Sequence, residues 1–97
     1  MIAIFAIIMQ SAIMNSKQRR TLTAIFKEPT SSTIDWSDVE SLLVAVGCEV
    51  IEGSGSRVRF VFKGHIVSFH RPHPAKEAKR YQVKDARDFL SQIGVKP

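Results

Sequence analysis

The chain has one cysteine, Cys48, among 97 residues, and this scarcity limits what can hold the fold together or bind a metal. A single cysteine excludes a disulfide within the chain, and no Cys/His spacing resembles a zinc site. A reducing compartment, the cytoplasm, is therefore the expected location. The apolar neighbours of Cys48 (Ala45, Val46 and Val50) predict a small buried residue. We expect neither a metal nor a small-molecule cofactor.

A long apolar run is also missing, so no membrane contact is expected. Residues 1–14 are apolar at twelve positions and uncharged, but a spanning helix needs about 20 apolar residues. A signal peptide would carry its positive charge before the apolar run, whereas Lys17, Arg19 and Arg20 follow it. We interpret residues 1–14 as a leader from a mis-assigned start, with Met14 or Met9 as the first residue. The alternative is a hydrophobic arm that packs on a partner.

Acidic residues are fewer than basic ones, 9 against 14, which gives a net charge of +5 and a pI near 9.8. A chain of this length forms one domain with a single core. Its charge favours a polyanionic or acidic partner, although a basic surface can also serve solubility alone. The Gly53-x-Gly55 step is too short for a dinucleotide or phosphate-loop signature.

Apolar spacing predicts three helices. The first begins after Asn15 and ends before Pro29, and a Ser/Thr-rich linker follows. The second begins at Asp35, with Asp38 completing a weak capping box, and ends at Gly47. The apolar stripes of the second and third helices, spaced 0, 3, 7 and 10, are Trp36, Val39, Leu43, Val46 and Val83, Ala86, Leu90, Ile93. Trp36, at the head of its stripe, is expected in the core rather than as a base-stacking platform.

Between these helices, residues 50–70 predict three short strands. A two-residue turn at Lys63-Gly64 would pair Arg57 with His70 on the open face of the sheet. The apolar positions then face two helices, which gives an α+β fold of order α-β-β-β-α from residue 35 onward. Its three-stranded antiparallel sheet carries both helices on one face, and an extra helix precedes it.

Clustered arginine and histidine side chains indicate phosphate chemistry. Guanidinium binds two phosphate oxygens at once, and unperturbed imidazole titrates near pH 6.5. Arg57, Arg59 and Arg71 around His70 therefore suit RNA binding, and also metal-independent cleavage in which a base takes the 2′-OH proton. The plainer alternative is that His70 and His73 are turn and surface residues.

From Lys17 to Val95 the chain resembles the HicA toxin family of bacterial toxin–antitoxin systems. The matching segments are Ala24-Ile25-Phe26 with Glu28-Pro29, Ile34-x-Trp36 with Asp38-Val39-Glu40, Gly47-Cys48-Glu49, the run from Glu52 to Val58, the run from Phe69 to Pro74, and the helix from Val83 to Gly94. The resemblance implies a double-stranded-RNA-binding-like fold and mRNA binding and cleavage. It also implies neutralisation by a HicB antitoxin. We accordingly divide the chain into a leader (1–14), an N-terminal helix with linker (15–34) and a HicA-like RNA-binding domain (35–97).

The resemblance also implies a catalytic histidine directly after a Gly-Ser-x step, where this chain has Ser56. A serine hydroxyl cannot replace imidazole as a general base unless another group activates it. Three alternatives stay open: His70 has taken over the proton transfer, the protein binds RNA without cutting it, or cleavage is slow and relies on phosphate stabilisation. The candidate catalytic residues are His70 and Ser56, and the candidate RNA-binding residues are Arg57, Arg59, Arg71, His73 and Lys76. A rival hypothesis is a non-catalytic module whose basic sheet face docks an acidic protein partner.

Overall fold

The computed structural model describes residues 14–97. Within this range the elements are α1 (Ser16–Ile25), α2 (Trp36–Ala45), β1 (Glu49–Glu52), β2 (Arg57–Phe62), β3 (His65–His70) and α3 (Arg80–Gln92). The strands form an antiparallel sheet in the order β1-β2-β3. The expected α+β class and α-β-β-β-α order are confirmed. The interpretation of residues 1–14 as a leader lies outside the described residues, except at Met14, which is buried.

The first helix begins at a reciprocal cap. The Asn15 side chain accepts from the Gln18 backbone N–H at 2.8 Å, and the Gln18 side chain accepts from the Asn15 N–H at 2.9 Å. These two bonds satisfy donors that have no partner within the helix. Gln18 also donates to Ser41 of α2 at 3.0 Å, and Lys17 pairs with Asp38 at 3.3 Å. The α1 helix is thus attached to α2 from its first turn.

Arg87 fastens the other end of α1 to α3. Its side chain donates to the Ile25 carbonyl at 3.0 Å, to the Glu28 carboxylate, and to the Thr30 hydroxyl at 3.0 Å. The last carbonyls of a helix lack partners within it, and a cation there also complements the helix dipole. Arg87 therefore stabilises the end of α1 and ties it, with the linker that follows, to α3.

The capping box predicted at the start of α2 is wrong. Asp35 is the N-cap residue, but its side chain makes no capping hydrogen bond. Backbone carbonyls supply the acceptors instead: the Trp36 N–H donates to Lys76 at 2.8 Å, and the Asp38 N–H donates to Asp35 at 3.0 Å. Asp35 also forms a bridge with Glu77. The neighbouring segment and the Asp35 backbone thus each supply an acceptor at the start of α2, in place of the Asp35 carboxylate.

The hairpin follows the register that the two-residue turn predicts. Lys63 and Gly64 have φ values of 47° and 85°, the left-handed conformation that hairpin turns of this length require. The observed partners are Arg57 with His70, Val58 with Phe69, Arg59 with Ser68 and Phe60 with Val67. The juxtaposition of an arginine and a histidine is therefore confirmed.

Aromatic rings join the sheet to α2 in the core. Trp36, Phe60 and Phe69 contact one another, with ring centroids 4.9 to 6.3 Å apart. Trp36 is only 6% exposed, which confirms it as a core residue. Cys48 is also buried as expected, and burial raises the pKa of its thiol to about 11, so the thiol is protonated at neutral pH.

Helix length also bears on membrane insertion. In the part of the chain that the structure describes, no helix is long and apolar enough to cross a bilayer.

Candidate nucleic-acid interface

The sheet turns one face toward the helices and leaves the other open. Because side chains alternate along a strand, the residues opposite the core side share this second face. We call it the open face, and its members are Glu49, Ile51, Arg57, Arg59, Val61, Ile66, Ser68 and His70. All of them are exposed except Val61, which is half-buried. The strand pairing therefore brings residues from three separate segments to one accessible surface.

A depression of about 650 Å³ occupies the basic end of the open face. Arg57 lies opposite His70 across β2 and β3, and Arg59 lies opposite Ser68. The full lining consists of Ile51, Gly53, Ser54, Arg57, Val58, Arg59, Ser68, Phe69 and His70. Two guanidinium groups and an imidazole thus surround a shallow concavity, which suits an anionic ligand with several oxygens.

Ser56 contacts the histidine of this depression. Its Oγ lies 3.4 Å from Nδ1 of His70, and its carbonyl accepts from the Arg71 backbone N–H at 2.9 Å. The second contact fixes the turn that carries Ser56 against the end of β3. With Nδ1 beside the hydroxyl, Nε2 is the ring nitrogen of His70 available to a ligand.

Arg71 is placed differently from the other two arginines. Its guanidinium contacts Glu40 of α2 at 3.0 and 3.1 Å and Glu52 of β1 at 2.6 and 2.9 Å. Hydrogen bonds with Glu52 and then Glu40 raise the pKa of Arg71, and the same bond with Arg71 lowers the pKa of Glu52. Arg71 does not line the depression.

The remaining expected RNA ligands lie outside the depression as well. His73 and Lys76 are exposed, but neither belongs to its lining. The Lys76 carbonyl accepts from the Trp36 N–H at the start of α2, which fixes that residue to the helical layer. The structure thus brings together Ser56, Arg57, Arg59 and His70, whereas neither His73 nor Lys76 lines the depression.

Sequence reasoning missed three polar residues that support this arrangement. Glu40 and Glu52 hold Arg71, and the buried Gln82 donates to the His70 carbonyl at 2.7 Å. Gln82 also accepts from the Lys79 N–H at 3.0 Å. A glutamine three residues after an N-cap residue is a recognised capping signal, so the hydrogen bond from the Lys79 N–H to Gln82 could have been predicted. The hydrogen bond from Gln82 to the His70 carbonyl has no such local signal, because it depends on how α3 packs.

Between residues 14 and 97, no three His, Cys, Asp or Glu side chains come together in a group able to hold a metal ion.

Gly53 shapes the turn that leads into β2, and we expect Gly53→Ala to distort it. A Cβ at this position would lie 2.9 Å from the Cβ of Arg57 and 3.3 Å from its carbonyl oxygen. The Gly53 N–H already donates to that oxygen at 2.8 Å. Moving Gly53 and Arg57 apart to relieve the clash would therefore break this hydrogen bond. We expect the free energy of unfolding, measured in urea, to fall by about 1–2 kcal/mol.

The matched control is Gly55→Asn in the same turn. Gly55 has φ of 63° and open space around its Cβ position, and asparagine tolerates this conformation. The control should lose less stability than Gly53→Ala. Equal losses in the two variants would contradict a specific steric role for Gly53.

Comparison with known proteins supplies the family. Residues 36–95 match the family model described as the HicA toxin of bacterial toxin–antitoxin systems. The match spans α2 through α3 and leaves α1 outside it. No curated protein and no solved structure matched the chain.

Proposed function

Since the chain belongs to the HicA toxin family, we propose that it is an mRNA-binding toxin acting in the cytoplasm, with the open face as its RNA surface. The observation that carries the proposal is the pairing of Arg57 with His70, beside Arg59, in one accessible depression. The chain's net charge of +5 supports a polyanionic partner. Arg57, Arg59 and His70 are the proposed RNA contacts.

The two arginines suit the RNA backbone. Both are exposed and both lie on β2, two positions apart. This spacing separates them by roughly 7 Å along the strand, far enough for each guanidinium to bind a different phosphate. Bonds between guanidinium and phosphate depend on charge and shape rather than on base identity, so this part of the surface would contribute affinity without sequence preference.

His70 is the proposed general base for cleavage. Its Nε2 would take the proton of a 2′-OH, and that oxygen would form a bond to the adjacent phosphorus while the bond from phosphorus to the 5′ oxygen breaks. The departing 5′ oxygen takes a proton from water, which leaves a 2′,3′-cyclic phosphate and a 5′-hydroxyl. Arg57 would stabilise the negative charge that develops on the phosphate oxygens. Ser56, at 3.4 Å from Nδ1, would steady the ring.

Membership of a toxin–antitoxin family implies pairing with an antitoxin, and we propose a HicB-like protein that covers the open face. Ile51 and Ile66, 38% and 58% exposed, lie on the same face as the arginines. Exposed apolar side chains within a charged surface are typical of protein interfaces. They also favour the second candidate function, a non-catalytic module that docks an acidic protein. The Arg57→Met/Arg59→Met variant distinguishes the two when tested separately with RNA and with the antitoxin.

Cleavage is tested by mixing the full chain with a labelled mRNA fragment in EDTA, beside His70→Ala. We expect the parent to cleave, and the variant to lose about 100-fold or more in rate. His65→Ala is the matched control, because His65 is exposed on the same strand but points away from the open face. Equal cleavage by parent and His70→Ala would exclude His70 as the base. RNA binding without cleavage by either protein would reduce the function to binding, and Ser56→His would then be the next variant.

A further inference from the structure

We infer that Arg71 is a positioning residue that holds His70 and Ser56 together, and that it is not a phosphate ligand. The inference rests on the proposed function, since it assigns Arg71 a part in the same RNA site. It differs from the expectation, drawn from the sequence, that Arg71 contacts RNA together with Arg57 and Arg59. Three observations support it: the contacts of the guanidinium, the charge balance around it, and the ties that it makes to the end of β3.

The guanidinium is already bound. Nε and Nη2 contact the two oxygens of Glu40 at 3.0 and 3.1 Å, and Nη1 and Nη2 contact those of Glu52 at 2.6 and 2.9 Å. Arginine has five N–H donors, and four contacts to paired carboxylates leave little for a ligand. A phosphate would have to displace one of the carboxylates to bind Arg71 in the forked geometry that arginine favours.

The local charge also disfavours phosphate at this point. Two carboxylates flank one guanidinium, so the cluster carries a net charge of about −1 while both acids are ionised. Glu40 is held in place by Trp36, whose Nε1 donates to its Oε1 at 2.9 Å. The Glu40 carboxylate is therefore bonded to a core residue, which restricts its movement away from Arg71.

Arg71 and its neighbours tie the end of β3 to three other elements. The side chain reaches Glu40 of α2 and Glu52 of β1, while the backbone N–H donates to the Ser56 carbonyl at 2.9 Å. On the preceding residue, the His70 carbonyl accepts from Gln82 of α3 at 2.7 Å. These bonds hold the imidazole of His70 beside the Ser56 hydroxyl. Loss of the Arg71 side chain would remove the bonds from the end of β3 to α2 and β1 and leave the bond to α3.

The salt dependence of RNA affinity separates a positioning residue from a phosphate ligand. For single strands, each phosphate contact contributes about 0.7 to the slope of log K against log salt. We expect Arg59→Met to lower the slope by that amount and Arg71→Met to leave it unchanged. If Arg71 binds phosphate, Arg71→Met will lower the slope, and Arg71→Lys, which keeps the charge, will largely preserve affinity.

A double-variant cycle tests whether Arg71 acts through His70. Lysine cannot bridge two carboxylates in the forked geometry, so we expect Arg71→Lys to weaken RNA binding about tenfold in the parent. In a His70→Ala background the same change should have little further effect, because the residue that it positions is gone. Equal losses in both backgrounds would overturn the inference, since they would indicate a general loss of structure or an independent contact. Arg80→Lys is the control, because it alters an exposed arginine that is bonded to the Thr30 carbonyl and lies outside the open face.

Amide hydrogen exchange provides a measurement that needs no RNA. The N–H of residue 71 is bonded to Ser56, and we expect it to exchange about tenfold faster in Arg71→Lys while the amide of the buried Phe60 is unchanged. Unchanged exchange at residue 71 would contradict the positioning role. Failure of the parent to bind RNA would overturn the proposed function instead, and the exchange result would still decide what Arg71 does to the fold.

Discussion

Replacing Arg57 and Arg59 together with methionine should weaken RNA binding about 100-fold at 0.15 M salt. Each guanidinium is exposed on the open face and lines the depression. A hydrogen bond to a charged partner is worth about 1.5–3 kcal/mol, so losing two costs at least 3 kcal/mol. Methionine keeps the length and apolar stem of the side chain. Fluorescence anisotropy with a labelled mRNA fragment over a series of salt concentrations gives both the affinity and its salt slope, which should fall by about 1.4.

The control for this variant removes the same charge elsewhere. Lys84 and Lys96 are exposed and lie outside the open face, so Lys84→Met/Lys96→Met lowers the net charge by the same two units. If only the total charge matters, both double variants will lose the same affinity, which would contradict a localised RNA surface. We expect the control to lose less than threefold.

Phe60→Ala has the largest expected effect on stability. The Phe60 side chain is completely buried and contacts the rings of Trp36 and Phe69. Its removal loses apolar burial and leaves a cavity between the sheet and α2, which typically costs about 3–5 kcal/mol. The total stability of a small domain is about 5–15 kcal/mol. The midpoint of urea unfolding, followed by tryptophan fluorescence and circular dichroism, should therefore fall steeply.

Ile66→Ala serves as the comparison for Phe60→Ala. Ile66 is on the same hairpin but is 58% exposed on the open face, so its truncation should change stability by less than about 1 kcal/mol. If Phe60→Ala were no worse than Ile66→Ala, the hairpin would not depend on the aromatic cluster, and the placement of Arg57 and Arg59 would need another explanation.

The hairpin could be predicted from the sequence because its determinants are local. A two-residue turn fixes the register, and the alternation of side chains then assigns each residue to a face. Lys63 and Gly64 adopt the left-handed conformation that this turn needs, so counting outward places Arg57 opposite His70. The apolar stripes of α2 and α3 were also predictable, since a helix buries residues at a regular spacing.

The environment of Arg71 could not be predicted in this way. Its partners Glu40 and Glu52 lie 31 and 19 positions earlier in the chain, and no periodicity connects them. Asp35 is a similar case, because the acceptors that replace its side chain include a carbonyl from residue 76. Both outcomes depend on which segments pack together, and this information appears only in the folded chain.

The central claim is that RNA binds to the open face, and chemical-shift mapping tests it most directly. A short mRNA fragment is added to the isotopically labelled full chain, and the backbone amides are followed by NMR. We predict shifts concentrated at Arg57, Arg59, Ser68 and His70, with little change along α1. Shifts confined to the helices, or no shifts at concentrations that saturate binding in the anisotropy assay, would contradict the account.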